Sequence, residues 1–422
     1  MDSVQQYIDQ ALGLENEKPE DYWQMRSHAP LFTKKKKGDY SEPLTDDDML
    51  SIPITKAGTD AQSRNPFNAL VCASTGIGKD RMIKNLIKAF HKQGYKILHI
   101  EPKGFEMFNA YKKGKGSFFH PKDKNESLPI VGYMPNYIKS YIERDFPELL
   151  KKVKFYSHNI KNMDSVEIWQ SFGVPIKMAS FIVEMIEKGH TNLDYFIKRL
   201  PKSAKHYATK NAVDTALGSL KATNFFGSNK LFNLEKEWEN NNVVDVMYMS
   251  RDGTLMNTDI GLIVDLVRSI SIKESRKGLK LEHITKKLLI FNDAFMYAGM
   301  SAKMSTSISG NTNLAIRSIG NCQNNFRTWG IDTIFVAQSP DSNAIVSSLI
   351  DGCTTKFVSY TEKPQDLHGK IPLDAYFLLS NTDKTKPMLY HDEDNYIFQW
   401  IYVRGKTKWF TGFPVDCTLG HS

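Results

Sequence analysis

The chain has 422 residues, 41% of them hydrophobic and 24% charged, and its 55 lysines and arginines against 47 aspartates and glutamates give a net charge of +8. That balance excludes collagen-like, coiled-coil and wholly disordered chains. It fits two to three domains at ~150 residues each, or one large α/β domain with insertions, and the basic excess suits a polyanionic partner.

No run of ~18 apolar residues occurs, so no transmembrane helix is expected. The N-terminus, MDSVQQYIDQALGLENEKPED, is acidic and amphipathic and lacks the basic-then-apolar order of a secretory signal. The four cysteines, Cys72, Cys322, Cys353 and Cys417, are scattered without a CxxC pair. That argues against a zinc site or a disulfide framework and suits a cytoplasmic setting, the host cytoplasm or a virion if the source is viral. The lysine clusters at Lys34 to Lys37, at Lys112, Lys113 and Lys115, and at Lys151, Lys152 and Lys154 read as solvated loops.

Residues 1–65 read as an N-terminal extension, with a short helix over Asp2 to Leu14 and a polar loop or linker over Lys34 to Thr59. The pattern then changes. Phe67 to Cys72 (FNALVC) is a buried strand, and a glycine-containing loop follows. Lys79 to Gln93 places Met82, Ile83, Leu86, Ile87 and Phe90 on one helical face before Gly94. Lys96 to Ile100 is the next strand. Strand, helix and strand within ~35 residues make a βαβ unit and imply a parallel sheet.

Residues 105–240 interrupt the alternation and read as a mainly helical insertion, with helical patches over Phe146 to Phe155, Ser165 to Leu200 and Leu200 to Phe226. Alternation resumes with strands at Asn242 to Met249, Lys287 to Phe291, Asp332 to Ala337 and Lys356 to Tyr360, and helices over Asp259 to Lys273 and Ala315 to Phe326. Tyr396 to Trp409 reads as a hairpin around Arg404-Gly405-Lys406. The fold class is therefore α/β: a mostly parallel sheet with helices on both faces. Residues 66–104 and 241–422 form the core and 105–240 the insertion.

Three segments carry chemistry. Ala73-Ser74-Thr75-Gly76-Ile77-Gly78-Lys79-Asp80, with Arg81 after it, lies between a strand and a helix, the setting of a phosphate-binding P-loop. There the glycines let backbone N–H groups curl round phosphate oxygens, the helix N-terminus adds positive potential, and Lys79 reaches the β/γ-phosphates. Ala73 stands where a glycine is usual, and Asp80 where a Mg²⁺-binding hydroxyl is usual.

Lys287 to Phe291 runs into Asn292-Asp293-Ala294, an apolar strand ending in polar residues, as in a Walker B strand. Asn292 falls at the metal position and Asp293 at the water-activating one. Together the two departures keep one carboxylate near the metal, moved from strand to loop, so Asp80, Asn292 and Asp293 are the candidate Mg²⁺ ligands; the opposite reading is a site that has lost Mg²⁺. Finally, Arg327 precedes a strand that ends in Gln338-Ser339-Pro340, at the carboxyl edge where open α/β sheets hold ligands.

In this order the segments resemble the FtsK/HerA superfamily of DNA-pumping P-loop ATPases. The loop is similar to that family's G-S-T-G-S-G-K-S. Leu98-His99-Ile100-Glu101-Pro102-Lys103-Gly104 resembles its strand and Asp-Pro-Lys-Gly, with Glu101 for aspartate, and Asn292-Asp293-Ala294 sits in place of its Asp-Glu-Ala. Arg327 through Gln338 resembles its Arg-x-x-Gly-Ile-strand-Gln segment. The resemblance spans about 65–105 and 242–360.

It implies a RecA/ASCE-like P-loop NTPase fold and an ATPase using ATP and Mg²⁺. Ser74 to Arg81 would bind nucleotide, Asp293 would activate water, and Gln338 would sense the γ-phosphate. Arg327, or its rival Arg251, would reach a neighbouring subunit's nucleotide. It also implies a homo-oligomeric ring, usually a hexamer, that threads double-stranded DNA without regard to sequence, with Ser301 to Asn311, which carries Lys303, as a candidate channel loop.

Conjugative coupling proteins usually carry N-terminal transmembrane helices, chromosome translocases a C-terminal DNA-reading module, and HerA an N-terminal β-barrel. By elimination the sequence resembles viral genome-packaging ATPases of this superfamily, with a portal, capsid or membrane-protein partner. The Asp80 and Asn292 departures leave a catalytically impaired ring with a structural or nucleotide-gated adaptor role as the alternative, and a small-molecule kinase as a distant third.

Overall fold

The computed structural model describes residues 26–33, 49–56, 67–104, 129–199, 207–227, 231–241, 243–250, 253–277, 285–298, 313–339, 347–361, 364–380, 391–392, 397–404 and 408–414. Two strands come first, β1 (Arg26–Thr33) and β2 (Met49–Lys56). They are followed by β3 (Asn68–Cys72), α1 (Lys79–Lys92) and β4 (Lys96–Glu101). Next are β5 (Ile130–Pro135), α2 (Lys139–Asp145) and β6 (Val153–Tyr156), and then the helices α3 (Val166–Ser171), α4 (Ile176–Glu187), α5 (Leu193–Arg199), α6 (Tyr207–Ala222) and α7 (Leu234–Glu239). The chain continues through β7 (Val243–Met247), α8 (Gly253–Arg276), β8 (Lys287–Phe291), α9 (Phe295–Ala298), α10 (Leu314–Trp329), β9 (Ile331–Ala337), α11 (Ser347–Asp351), β10 (Thr355–Val358) and α12 (Leu373–Ser380). It ends with β11 (His391–Asp392), β12 (Ile397–Phe398), β13 (Trp400–Arg404) and β14 (Lys408–Pro414).

One twelve-stranded sheet runs β2-β1-β14-β13-β10-β3-β9-β8-β4-β7-β5-β6. From β10 to β6 every neighbouring pair is parallel. From β10 outward through β13, β14, β1 and β2 the pairing is antiparallel. The parallel strands read as unbroken apolar runs because both faces are covered. In β8, Leu288 and Ile290 join the layer under α1, while Leu289 and Phe291 join the layer under α8 and α10. β3 divides the same way, with Ala69 and Val71 against Leu70 and Cys72, the period of two that strand geometry imposes.

α1 sends Met82, Leu86, Ile87 and Phe90 into the sheet at zero exposure, each contributing about 1.5–3 kcal/mol by burial. On the other face α8 and α10 cross so closely at Gly261 that an added Cβ would stand 2.8 Å from the Leu314 carbonyl carbon. A chain α/β fold of this order, with β9 inserted between β3 and β8, is that of an ASCE-type P-loop NTPase.

Three local readings are corrected. Val153–Tyr156 is a strand, not the helix expected over Phe146 to Phe155. With Ile130–Pro135 it extends the parallel sheet, so residues 129–156 add two strands to the sheet around the short helix α2. Met49–Lys56 is a strand on β1, within the stretch read as loop. β5 and β6 are short, and β5 pairs with β7, far along the chain, while β2 is an edge strand paired only with β1. The helical part of the insertion has its own core, in which Trp169, Phe172, Ile182, Phe196, Leu217 and Phe225 pack against Leu255, Leu262 and Leu314. The helix expected over Asp2 to Leu14 lies outside the described residues.

Candidate nucleotide-binding site

The loop between β3 and α1 is fixed from both flanks. The Ala73 N–H donates to the Ala337 carbonyl at 3.3 Å and the Ser74 N–H to the Tyr360 carbonyl at 2.8 Å. Gly76 and Gly78 take φ of +85° and +90°, which L side chains rarely adopt, and no atom lies within 4 Å of where either Cβ would be. The loop therefore leaves an open concave backbone, a form that suits phosphate oxygens. Gly78 is the N-cap of α1 and offers no side-chain cap, so the first N–H groups of this 14-residue helix are available to an anion.

The Lys79 ammonium donates to the carbonyls of Ala73 at 2.8 Å and Ser74 at 2.9 Å, folding back over its own loop. Burial pulls its pKa down, while the carboxylates of Asp80 and Asp293 oppose that shift. Both acids therefore lie within electrostatic reach of Lys79.

β9 supplies the geometry that brings the second motif to the first. Its last residues bond to the P-loop on one side, through the Ala73 N–H, and to the β8 turn on the other, where the Ala294 N–H donates to the Val336 carbonyl at 3.0 Å. Gln338, half-buried and one residue past β9, thus stands between the ends of β3 and β8. Asp293 turns the chain there at φ +41°, in the left-handed region that aspartate tolerates better than most residues. Its carboxylate accepts from the Lys103 ammonium at 3.1 Å and is 13% exposed.

Asn292 faces the other way. Its side-chain N–H donates to the carboxylate of Glu101 at the end of β4, and its backbone carbonyl accepts from the Tyr297 hydroxyl at 3.1 Å. Glu101 also accepts from the Lys103 N–H at 3.0 Å. Burial pushes the Glu101 carboxyl up to about 7, with His99 and Asn292 opposing the shift and Asp245 and Asp293 adding to it. Below it, His99 and Asp245 form an ion pair at 2.9 Å with both side chains 1% exposed. Burial disfavours the charged imidazole, and the Asp245 carboxylate outweighs that and raises its pKa.

Sequence reading assigned no role to Lys103 or to Glu101. The visible signal was the Glu101-Pro102-Lys103-Gly104 segment at a strand end. What it touches depends on β4 lying beside β8, a register no local pattern encodes.

The remaining candidates stand as follows. Asp80 is exposed in the first turn of α1. The structure describes the backbone of Arg81 in α1 and of Arg327 near the end of α10, but neither side chain. Arg251 and the loop from Ser301 to Asn311, with Lys303, lie outside the described residues. Among the described residues no three His, Cys, Asp or Glu side chains form a metal cluster. A Mg²⁺ ion is commonly held by one or two carboxylates and the nucleotide's own phosphates. Asp80 and Asp293 carry carboxylates of that kind, and Asn292, whose side-chain N–H donates to Glu101, would offer a metal its amide oxygen. No helix among the described residues is long and apolar enough to cross a membrane.

No protein-family model and no curated protein matches the sequence. Solved structures match by shape. VirB4 of Thermoanaerobacter pseudethanolicus aligns with a TM-score of 0.56 at 11% identity, covering 92% of this chain and 96% of that one. The plasmid coupling protein TrwB in complex with the non-hydrolysable GTP analogue GDPNP aligns with a TM-score of 0.50 at 13% identity, covering 93% and 97%. The chain shares the fold of these proteins.

Proposed function

We propose that this chain, an α/β protein with the P-loop ATPase fold shared by VirB4 and TrwB, is an ATP-driven translocase of double-stranded DNA that works as a homo-oligomeric ring. The observation that carries the reading is the meeting of three strand ends: Lys79 after β3, Gln338 after β9 and Asp293 after β8, tied together by the Ala73 and Ala294 backbone bonds. A nucleoside triphosphate laid along the loop would present its γ-phosphate to Gln338 and Asp293.

In that setting the Lys79 ammonium exchanges the Ala73 and Ser74 carbonyls for phosphate oxygens. Asp293, released from Lys103, accepts a proton from the attacking water, and Gln338 donates to the γ-phosphate or orients that water. Asp80 and Asp293 are the carboxylates that would hold Mg²⁺, which supplies charge neutralisation of the transferring phosphoryl group. An arginine from the adjacent subunit, Arg327 or Arg251, completes the site, so hydrolysis depends on assembly. Genome packaging is the use we favour, with a portal, capsid or membrane protein as docking partner and the helical insertion as its platform.

A second reading, a ring protein without turnover, is favoured by one observation: the position that usually carries the metal-binding carboxylate holds Asn292, a neutral side chain whose N–H is tied to Glu101. The deciding experiment is ATP hydrolysis with Mg²⁺, with and without long duplex DNA, by the unaltered chain and by Lys79→Ala. DNA-stimulated turnover that Lys79→Ala lowers by 10²-fold or more supports the motor. ATP binding and ring formation without turnover support the inactive ring.

A further inference from the structure

We propose that Tyr360 is the platform on which the nucleobase stacks, and that the site takes purine nucleoside triphosphates with little distinction between bases. The inference rests on the nucleotide-binding reading above and adds the group that holds the far end of the ligand.

β10 is the neighbour of β3 on the side away from β9. Its end is tied to the P-loop: the Ser359 N–H donates to the Cys72 carbonyl at 3.0 Å, and the Tyr360 carbonyl accepts from the Ser74 N–H at 2.8 Å. Ser359 and Thr361 are buried at 1% and 4% exposure, while Tyr360 between them is 56% exposed. No aromatic partner for its ring occurs among the described residues. The segment is therefore anchored by its backbone and its neighbours, and it sends out one large flat side chain beside the loop.

Direction follows from strand order. Gln338 and Asp293 lie beyond β3 on the β9 and β8 side. A triphosphate whose γ end points there must leave the loop with its nucleoside on the opposite side, which is the β10 side. An exposed phenol at that position has a free π-face, and stacking on an aromatic face is open to every base. Stacking reads a flat face and not a base edge, so the platform recognises planarity rather than identity.

The experiment is calorimetric titration of the full chain with ATP, GTP and inorganic tripolyphosphate, for the unaltered protein, Tyr360→Ala and Tyr360→Phe. The expected result is ATP and GTP binding of similar strength, weakened on the order of ten-fold or more in Tyr360→Ala and retained in Tyr360→Phe, with tripolyphosphate unaffected by either change. Unchanged ATP affinity in Tyr360→Ala overturns the proposal while leaving the nucleotide site in place. Equal weakening of ATP and tripolyphosphate also overturns it, since the residue would then only shape the loop. If the unaltered chain binds neither ATP nor tripolyphosphate, the nucleotide reading falls and takes this inference with it.

Discussion

At the residue scale, the Asn292–Glu101 contact makes the departure at the β8 strand end intelligible. Glu101 is buried at 2% exposure and takes the Asn292 amide as a donor. An aspartate at 292 would set two carboxylates against each other in a low-dielectric place, where like charges cannot both ionise cheaply. Asn292→Asp alone is expected to lower the thermal unfolding midpoint, with a loss of about 1–3 kcal/mol. Asn292→Asp combined with Glu101→Gln restores a donor and an acceptor in reversed order and recovers most of it. A double-mutant cycle by denaturant unfolding measures the coupling; additive effects would show that the two side chains do not act as a pair.

The same contact bears on the idea that a carboxylate moved from strand to loop. Asn292 is held by a carboxylate on the neighbouring strand, so the local charge at this edge comes from Asp80, Asp293 and Glu101 together.

At the element scale, the two long helices on the back of the sheet carry much of the fold. α8 and α10 approach at Gly261 and are stitched by Asp265, whose carboxylate accepts from the Ser318 hydroxyl at 3.0 Å and lies 3.6 Å from the Arg268 guanidinium. Burial pushes the Asp265 pKa above its usual 3.8, against the opposing effects of Arg268, Ser318 and Arg317. The native state then binds this proton more tightly than the unfolded chain. By linkage, stability from this group is fullest at acid pH and falls as pH climbs above 3.8 through the raised folded value. Asp265→Asn removes that loss. The variant's stability relative to the unaltered chain should therefore rise as the pH is increased from about 4, read by thermal unfolding across a pH series. A constant difference would mean that the aspartate ionises alike in both states.

The insertion is joined to α8 by a second buried carboxylate. Asp259 accepts from the Tyr156 hydroxyl at 2.6 Å and pairs with His158. The end of β6 is thus fastened to α8 by polar contacts, beside the apolar core through which the helical part packs on α8.

At the scale of the whole molecule, a net charge of +8 and the translocase reading together predict how DNA should bind. Contacts to phosphates release counterions, so affinity should fall linearly with salt on logarithmic axes and be alike for unrelated duplexes. Fluorescence anisotropy with two such duplexes over a salt series checks this. A weak salt slope, or a preference for one duplex, would count against sequence-independent transport.

The sequence by itself determined the βαβ start, the loop after β3 and its glycines, the α8 face, the α10 helix, and strands β8 and β9. It could do so because parallel strands covered on both faces are continuous apolar runs, and amphipathic helices repeat every 3.6 residues. Those signals are local and need no knowledge of partners.

Only the tertiary structure decided the rest. It inserted β9 between β3 and β8, which puts Gln338 between Lys79 and Asp293. It gave β5 and β6 to the sheet rather than to the insertion's helices, and set Glu101 against Asn292 and Tyr360 beside Ser74. Each of these is a pairing across many tens of residues, chosen by which apolar faces bury together and which backbone groups find partners. A short strand such as Val153–Tyr156 carries too little of that information in its own four residues.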